Sequence, residues 1–369
     1  MKITILYGGK SGEHEVSLVS AAYVARNIDT SKHIVNLIGI DKDGKWYWQD
    51  QSELERIKED ETAALQIKKD FPVMISPGGG KRQAIQVRNY SGYVNLYTDI
   101  VFPVLHGTYG EDGTVQGLLD MAEIPYVGCL TLSSALTMDK EKTKVVWQSE
   151  NLPIVPYTYL KSSWREEKIK EKIAEYEKEY GYPAFVKPCC AGSSVGASKA
   201  KDKKELSEAI EEAFKWDSKI LIEKFIPARE IECSVVGNTD VKAYGPGEIK
   251  PSHEFYDYDA KYNDPNGAAL VIPAELDKDT AEKIRLMAIK AFKVLDCSGL
   301  SRVDFFISKE DGAIMLNEIN TMPGFTSISM FPKMCEASNI PYSELIEKLC
   351  QLGIENFESH HSLKTNREA

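Results

Sequence analysis

The chain has 369 residues, of which 43% are hydrophobic and 27% are charged, and its formal net charge is -11. These values are ordinary for a folded protein of two or three domains and exclude wholesale disorder. The balance of 45 basic against 56 acidic residues argues against binding of duplex nucleic acid, which needs a dense basic surface. It still permits a small anionic ligand held by a few local lysines.

The sequence shows no localisation signal and no metal-binding or redox pattern of cysteines, and it therefore predicts a cytoplasmic protein. No stretch approaches the ~20 consecutive apolar residues of a membrane span. The apolar run at residues 3–7 is too short for the core of a signal peptide. Among the seven cysteines only Cys189 and Cys190 are adjacent, and the chain has no C-x-x-C motif. We therefore expect reduced thiols, without a zinc cage or a redox motif.

The first segment alternates predicted strands with predicted helices. Three apolar runs have the length of short strands, at residues 3–7, 34–40 and 100–105. Val16, Val19 and Tyr23 have roughly helical spacing, and residues 76–82 have the composition of a loop. Because strand–helix alternation favours a doubly wound parallel sheet, we expect an N-terminal α/β domain over residues 1–135.

A second domain is expected over residues 139–222. Its clearest helix ends at Tyr180 and begins at Ser163, because Ser163 and Glu166 have the spacing of a capping box. The strand that follows this helix leads into a loop of small residues at 191–196.

A third domain is expected over residues 223–352. Its elements are three strands and one helix, near residues 231–236, 302–307, 313–319 and 278–295. Between them the aromatic and polar stretch 245–269 lacks clear periodicity, which is typical of functional lids and of disordered loops. Beyond this domain, residues 353–369 form a polar tail that we expect to fray from Asn356 onward.

Three oxygen-bearing side chains on two predicted strands form the strongest constellation. A period of two places Arg302 and Asp304 on one face of the first strand, and Glu318 and Asn320 on one face of the second. Carboxylate and amide oxygens suit Mg²⁺, whose shell is usually completed by water and substrate phosphates. On spacing alone, a magnesium site and scattered exposed polar residues are equally favoured.

Three lysines lie in or beside turns, at Lys140, Lys187 and Lys261. Lone lysines are usually surface residues, but a predicted strand delivers Lys187 into the loop 192–196. The small residues of this loop allow backbone N–H groups to approach a phosphate, although a plain hairpin turn explains them equally well. The chain has neither a P-loop nor a Rossmann fingerprint at its N-terminus, because Thr4 and Lys10 stand where those motifs need glycine.

Taken in order, eight short motifs resemble those of the D-alanine–D-alanine ligases, of the ATP-grasp superfamily, over residues 1–350. The motifs lie at residues 8–17, 105–113, 138–140, 186–188, 192–196, 255–262, 302–304 and 317–326. The resemblance implies an α/β, three-domain ATP-grasp architecture with an N-terminal doubly wound parallel sheet, and it makes 245–269 a mobile lid. It also implies ATP-dependent ligation of two D-alanines through an acyl phosphate, for peptidoglycan precursor synthesis.

The resemblance implies roles for residues around ATP. Lys140 and Lys187 would hold the α- and β-phosphates, and Lys261 would cover the γ-phosphate from the lid. Adenosine would contact five residues of one segment: Glu223, Lys224, Phe225, Ile226 and Glu230. Mg²⁺, for which Mn²⁺ can substitute, would be carried by Asp304, Glu318 and Asn320.

The resemblance also implies roles around D-alanine. Glu13 would pair with the first ammonium group, His106 would lie near the first substrate, and Ser329 would lie where the second carboxylate binds. Arg302 and the Gly324 N–H would form an oxyanion hole. A hydrogen-bond network that holds the lid closed would join Glu13, Ser193 and Tyr262. The family further implies a cytoplasmic homodimer with no nucleic-acid or membrane partner.

Three other functions compete with this interpretation. A sister ligase would use D-serine or D-lactate as its second substrate; the lid tyrosine Tyr262 argues against D-lactate, whereas D-serine stays open. A carboxylate–amine ligase of the biotin-carboxylase kind would not explain Glu13 or the aromatic lid. A non-catalytic nucleotide-binding regulator should lack Lys261, Arg302 or a metal ligand, and all of these are present.

Overall fold

The structure is a computed structural model that describes residues 1–251 and 268–364. Its strands, in chain order, are β1 (Lys2–Gly8), β2 (Ile34–Ile40), β3 (Trp46–Gln49), β4 (Val73–Ile75), β5 (Ile85–Asn89), β6 (Gly92–Asn95), β7 (Ile100–Pro103), β8 (Tyr157–Lys161), β9 (Ala184–Pro188), β10 (Ser198–Ala200), β11 (Lys219–Lys224), β12 (Ala228–Gly237), β13 (Lys242–Pro251), β14 (Ala268–Val271), β15 (Gly299–Ser308) and β16 (Ile314–Asn320). Its helices are α1 (His14–Asn27), α2 (Gln51–Glu59), α3 (Gly80–Gln83), α4 (Thr114–Met121), α5 (Thr131–Met138), α6 (Lys140–Ser149), α7 (Glu166–Glu179), α8 (Lys203–Ala213), α9 (Lys278–Lys293), α10 (Met330–Glu336) and α11 (Tyr342–His361).

The N-terminal sheet has the strand order β3-β2-β1-β7, with β1 parallel to both β2 and β7 and with β3 antiparallel at one edge. The parallel strands are apolar because helices cover both faces of such a sheet. Helix α1 buries Val16 as predicted, but Val19 is 44% exposed. The small antiparallel sheet β4-β5-β6 occupies a region to which the sequence assigned no strand. Within the predicted loop 76–82, residues from Gly80 onward form the single turn α3.

The second sheet, of order β10-β9-β11-β8, is antiparallel throughout. Helix α7 packs Tyr176 against this sheet, with Ile169 and Ile173 partly buried beside it, as their spacing predicts. The predicted capping box of Ser163 and Glu166 is wrong. Ser163 lies in the turn before the helix, and Arg165 is the N-cap instead. The Arg165 side chain makes no capping hydrogen bond.

The third sheet has the order β14-β13-β12-β15-β16, also with antiparallel pairings, and α9 covers it. The prediction that a loop begins at residue 245 is wrong, because β13 continues to Pro251. Residues 252–267 of that stretch lie outside the described residues. The prediction that the chain frays from Asn356 onward is also wrong for residues 356–361, because α11 continues to His361. Within this helix the Phe357 ring stacks on the His361 imidazole.

One hydrophobic core joins the first sheet to the C-terminal part of the chain. Phe102 of β7 meets Phe325 edge to face, with 5.6 Å between ring centroids, and Leu345 and Leu349 of α11 lie in the same cluster. This packing fixes the loop after β16 against the carboxyl end of the first sheet. No helix within residues 1–251 or 268–364 combines the length and apolar character of a membrane span.

Candidate active site

The loops after β1 and β9 meet at Glu13. Ser193 donates a hydrogen bond from its hydroxyl to Glu13, although 180 positions separate the two residues. A Cβ atom at Gly107 would lie 2.6 Å from the Glu13 carboxylate, and one at Gly192 would lie closer still. A side chain at either position would therefore displace the Glu13 carboxylate. The structure thus brings Glu13 and Ser193 together, whereas their expected partner Tyr262 lies outside the described residues.

The loop that carries Ser193 has an unusual backbone. Ser193 and Ser194 have φ angles of 48° and 60°, in the left-handed region that side chains other than those of glycine, asparagine and aspartate seldom adopt. Such conformations persist where surrounding contacts enforce them, and they concentrate at ligand-binding sites. The contact with Glu13 is one such constraint.

His106 is buried and links the loop after β16 to helix α1. Its Nδ1 lies 2.9 Å from the Met322 carbonyl and its Nε2 lies 3.0 Å from the Ser20 hydroxyl. Because a carbonyl can only accept, Nδ1 carries the proton and Nε2 accepts from Ser20. Burial lowers the pKa of His106, which agrees with a neutral ring. The ring thereby fixes the loop that precedes Gly324; Ser20, which the sequence did not single out, supplies its second contact.

Glu111 ties the same two loops together. Its carboxylate accepts hydrogen bonds from the backbone N–H groups of Gly107, at 2.8 Å, and Met322, at 2.9 Å. Burial, reinforced by the nearby charge of Glu13, raises the pKa of Glu111 to about 7, even though both backbone bonds oppose the shift. The sequence pattern around Glu111 does not show that its carboxylate is buried, because spacing alone does not reveal burial.

The raised pKa predicts that Glu111 makes stability fall as pH rises. Below pH 4.5 the group is protonated in both states; between pH 4.5 and 7 it ionises in the unfolded chain but stays protonated in the folded protein. Relative to Glu111→Gln, the wild type should therefore lose about 3 kcal/mol of unfolding free energy across this interval. Urea titrations of both proteins at stepped pH measure the difference. Parallel stability curves would contradict the assignment.

The pairing of β15 with β16 assembles the acidic cluster. Arg302 lies opposite Asn320, and Asp304 lies opposite Glu318. Arg302 donates two hydrogen bonds of 2.7 Å to Asp304, and Asn320 donates one of 3.0 Å to the same carboxylate. The four residues predicted to share a face therefore lie together.

Arg302 has a second partner that the sequence analysis missed. Its Nε lies 3.1 Å from the Glu232 carboxylate on the neighbouring strand β12. Burial acts to lower the pKa of Arg302, but Asp304 and Glu232 outweigh it and raise that pKa. The guanidinium therefore stays charged, and Glu232 can hold it in place independently of Asp304.

The donor set of Asp304, Glu318 and Asn320 fits a hard cation such as Mg²⁺, because it offers two carboxylates and one amide oxygen. Within the described part of the chain, no group of three or more His, Cys, Asp and Glu residues could hold a metal alone. The amide and further oxygens from phosphate or water would thus have to complete the coordination.

Two of the three predicted phosphate lysines lie beside this cluster. Lys140 begins α6; its ammonium donates a 2.8 Å hydrogen bond to the Ala191 carbonyl and lies 3.7 Å from Glu318. Lys187 lies 2.9 Å from Glu223 and donates a 3.1 Å hydrogen bond to Asn317. The third, Lys261, lies outside the described residues.

The start of α6 is fixed from the neighbouring sheet. Lys219 on β11 contacts both Asp139, the N-cap of α6, and Glu141, and these acceptors help to raise the pKa of Lys219 against the opposing effect of burial. The backbone N–H of Lys140 donates to the Cys189 carbonyl at 3.1 Å. The position of Lys140 therefore depends on β11 and on the residue that follows β9 in the second sheet.

The residues expected around adenosine lie at the end of β11 and beyond it. Glu223 is buried, whereas the next residue, Lys224, is exposed at the end of the strand. Lys199 places its ammonium 3.8 Å from the centre of the Phe225 ring, and Ile226 is half-buried beside it. Glu230 lies farther along, on β12.

The turn after β16 brings Gly324 and Ser329 together. The Ser329 hydroxyl accepts a 2.9 Å hydrogen bond from the Thr326 N–H, and a Cβ at Gly324 would lie 2.7 Å from the same oxygen. The sequence-predicted oxyanion donor and second-substrate residue thus occupy one turn, in the loop that His106 and Glu111 also fix.

Known proteins are similar to this chain in both sequence and fold. Residues 2–129 match the D-ala D-ala ligase N-terminus family, and residues 146–351 match the D-ala D-ala ligase C-terminus family. A D-alanine–D-alanine ligase from Treponema denticola is 56% identical over 373 residues, which cover 100% of each chain.

Solved structures agree with these matches. The D-alanine–D-alanine ligase from Coxiella burnetii has 35% sequence identity and a TM-score of 0.83, over 98% of this chain and 96% of its own. The VanG D-Ala:D-Ser ligase from Enterococcus faecalis has 36% identity and a TM-score of 0.80, over 95% and 99%. The fold is accordingly the expected α/β, three-domain ATP-grasp architecture. The chain belongs to the D-alanine–D-alanine ligase family.

Proposed function

We propose that this protein joins two D-alanines into D-alanyl-D-alanine, converts ATP to ADP and phosphate, and thereby supplies a peptidoglycan precursor. The observation that carries the proposal is the full-length 56% identity to a D-alanine–D-alanine ligase. Further support comes from a carboxylate, two lysines and an arginine–carboxylate cluster that lie near one another although they come from distant parts of the chain. These are the groups that ATP-dependent activation of a carboxylate requires.

The lysines supply the phosphate-binding part of the proposed mechanism. Lys140 and Lys187 direct positive charge to the α- and β-phosphates, while Lys261 covers the γ-phosphate. A divalent cation, Mg²⁺ or Mn²⁺, would be held by Asp304 together with Glu318 and Asn320 and would neutralise charge on the phosphates. In support, the Lys140 ammonium lies 3.7 Å from Glu318, one of these proposed ligands.

Peptide-bond formation follows in two steps. A carboxylate oxygen of the first D-alanine, whose ammonium pairs with Glu13, attacks the γ-phosphorus and releases ADP. The amine of the second D-alanine then attacks the acyl carbon, and phosphate leaves from the tetrahedral intermediate. The Arg302 guanidinium and the Gly324 N–H stabilise the oxyanion, and Ser329 binds the second carboxylate. Asp304 and Glu232 hold the buried Arg302 guanidinium in position for this step.

The relevant experiment measures phosphate release from ATP with Mg²⁺ and each of D-alanine, D-serine, D-lactate and L-alanine. We expect release with D-alanine alone, with D-alanyl-D-alanine as the product, and none with L-alanine alone. To test the second site, D-serine or D-lactate is added with limiting D-alanine and the products are separated. A mixed product made in preference to the dipeptide would instead define a sister ligase. Absence of D-alanine-dependent phosphate release would contradict the proposal.

Two finer features belong to the same proposal. Tyr262 on the lid, with Ser193 and Glu13, would favour an amine as the second nucleophile. The homodimer that the family resemblance implies is a prediction that sedimentation of the purified protein tests directly.

A further inference from the structure

One lysine of α6 is buried although nothing in the sequence separates it from its exposed neighbours. Lys144 is fully buried, whereas the Lys142 side chain on the same helix is 54% exposed. Lysine is almost never fully buried without a partner, because its charge must leave water. The partner of Lys144 is Glu223, at 2.8 Å.

Glu223 stands between two ammonium groups. One carboxylate oxygen faces Lys144, and the other faces Lys187 at 2.9 Å. Glu223 is itself only 2% exposed. Burial acts to raise the pKa of Glu223, but the two lysines outweigh it and leave that pKa below its usual range. The carboxylate is therefore charged, and each of its two oxygens has one lysine as its partner.

The two lysines differ in what else they can reach. Lys187 also donates a hydrogen bond to Asn317, and the charge of the proposed metal ligand Glu318 helps Glu223 to raise the pKa of Lys187 against the opposing effect of burial, so its ammonium lies near the proposed metal site. Lys144 instead lies 3.5 Å from the Val155 carbonyl and 5.6 Å from the centre of the Tyr157 ring. Lys144 is fully buried, so protein encloses its ammonium.

We propose that Lys144 is a positioning residue for ATP: as the resident counter-ion of Glu223, it allows the Lys187 ammonium to be shared with a phosphate. This inference rests on the proposed function. Removal of one partner from a buried ion pair leaves an uncompensated charge, which is strongly unfavourable. Without Lys144, Lys187 is the remaining close cation of Glu223 among the described residues, and a phosphate must then compete with a buried carboxylate for that ammonium.

The test compares Lys144→Met with Lys142→Met, an exposed control on the same helix, by ATP binding at equilibrium with Mg²⁺ and without D-alanine. We expect Lys144→Met to weaken ATP binding at least about tenfold, and Lys142→Met to change it by less than about threefold. The KM for ATP should rise in parallel, while kcat at saturating ATP stays within about threefold of wild type. Unchanged ATP affinity in Lys144→Met would overturn the proposal.

A second comparison separates positioning from a general loss of structure. In a Glu223→Gln protein the carboxylate charge is gone, so the additional Lys144→Met change should alter ATP affinity by less than about threefold. This comparison also decides the matter if Lys144→Met alone does not fold. A further loss of about tenfold in the Glu223→Gln background would overturn the proposal.

Failure of this inference is distinguishable from failure of the proposed function. A wild type that makes the dipeptide but whose Lys144→Met variant binds ATP normally contradicts the positioning role alone. A wild type that neither binds ATP nor makes the dipeptide contradicts both.

Discussion

Replacement of Glu318 by glutamine is expected to lower kcat at least ~10²-fold, which corresponds to about 2.7 kcal/mol of transition-state stabilisation. Glu318 lies opposite Asp304 in the β15–β16 pair and 3.7 Å from Lys140, so it combines a proposed metal ligand with a phosphate lysine. Glutamine keeps the size of the side chain and removes its charge. Phosphoryl transfer would then lose the cation that balances the transferring group.

The control for this experiment is Glu310→Gln, because Glu310 is an exposed carboxylate in the turn that joins the same two strands. Its kcat should equal that of the wild type. Turnover of Glu318→Gln near the wild-type rate at saturating Mg²⁺ would remove Glu318 from the proposed metal site.

Replacement of Arg302 by methionine is expected to reduce dipeptide formation about 10²–10³-fold while measurable ATP binding persists. The reason is that Arg302 is assigned to the oxyanion of the tetrahedral intermediate rather than to the nucleotide. Its guanidinium is held between Asp304 and Glu232, so it needs no reorientation when the negative charge develops. Single-turnover measurement of the dipeptide, with separate ATP titrations, distinguishes the two roles.

Two further variants serve this experiment. Arg88→Met removes an exposed arginine and should match the wild type. Arg302→Met leaves the carboxylates of Asp304 and Glu232 without their shared cation. The double variant Arg302→Met, Glu232→Gln removes one of these two negative charges but still lacks the oxyanion contact, so its dipeptide formation should stay as low as that of Arg302→Met. An effect confined to the KM for ATP would show that Arg302 is a nucleotide contact.

The alternation of a strand explains why part of the site was predictable. A period of two is enough to place Arg302 beside Asp304 and Glu318 beside Asn320, and the antiparallel register then joins the two pairs. The meeting of Glu13 with Ser193 could not be predicted in this way. It depends on a contact between the loops after β1 and β9, and only the family resemblance suggested it.

Burial of charged residues was the main feature that the sequence could not reveal. In the sequence Lys144 looks like the other lysines of α6, because helical spacing does not show which face meets Glu223. Glu111 likewise lies in a turn motif whose carboxylate becomes the link between two loops. Such positions depend on tertiary contacts between distant segments, which local periodicity does not encode.

Helix ends were the other source of error. The spacing of Ser163 and Glu166 matches a capping box, but the helix begins at Glu166, so Arg165 takes the N-cap position and Ser163 lies in the turn before it. At the other end of the chain, polar composition suggested fraying from Asn356. The helix continues there because Phe357 stacks on His361 and lies beneath the Lys81 ammonium, 5.9 Å from its ring centre. Composition alone misses such contacts.

The central claim, ligation through an acyl phosphate, is tested most directly by oxygen transfer. D-alanine labelled with ¹⁸O in its carboxylate is incubated with the protein, ATP and Mg²⁺, and the released phosphate is analysed by mass spectrometry. If the carboxylate attacks the γ-phosphorus, one labelled oxygen must pass from D-alanine to each phosphate, in step with formation of D-alanyl-D-alanine. Dipeptide formation with unlabelled phosphate would contradict this account.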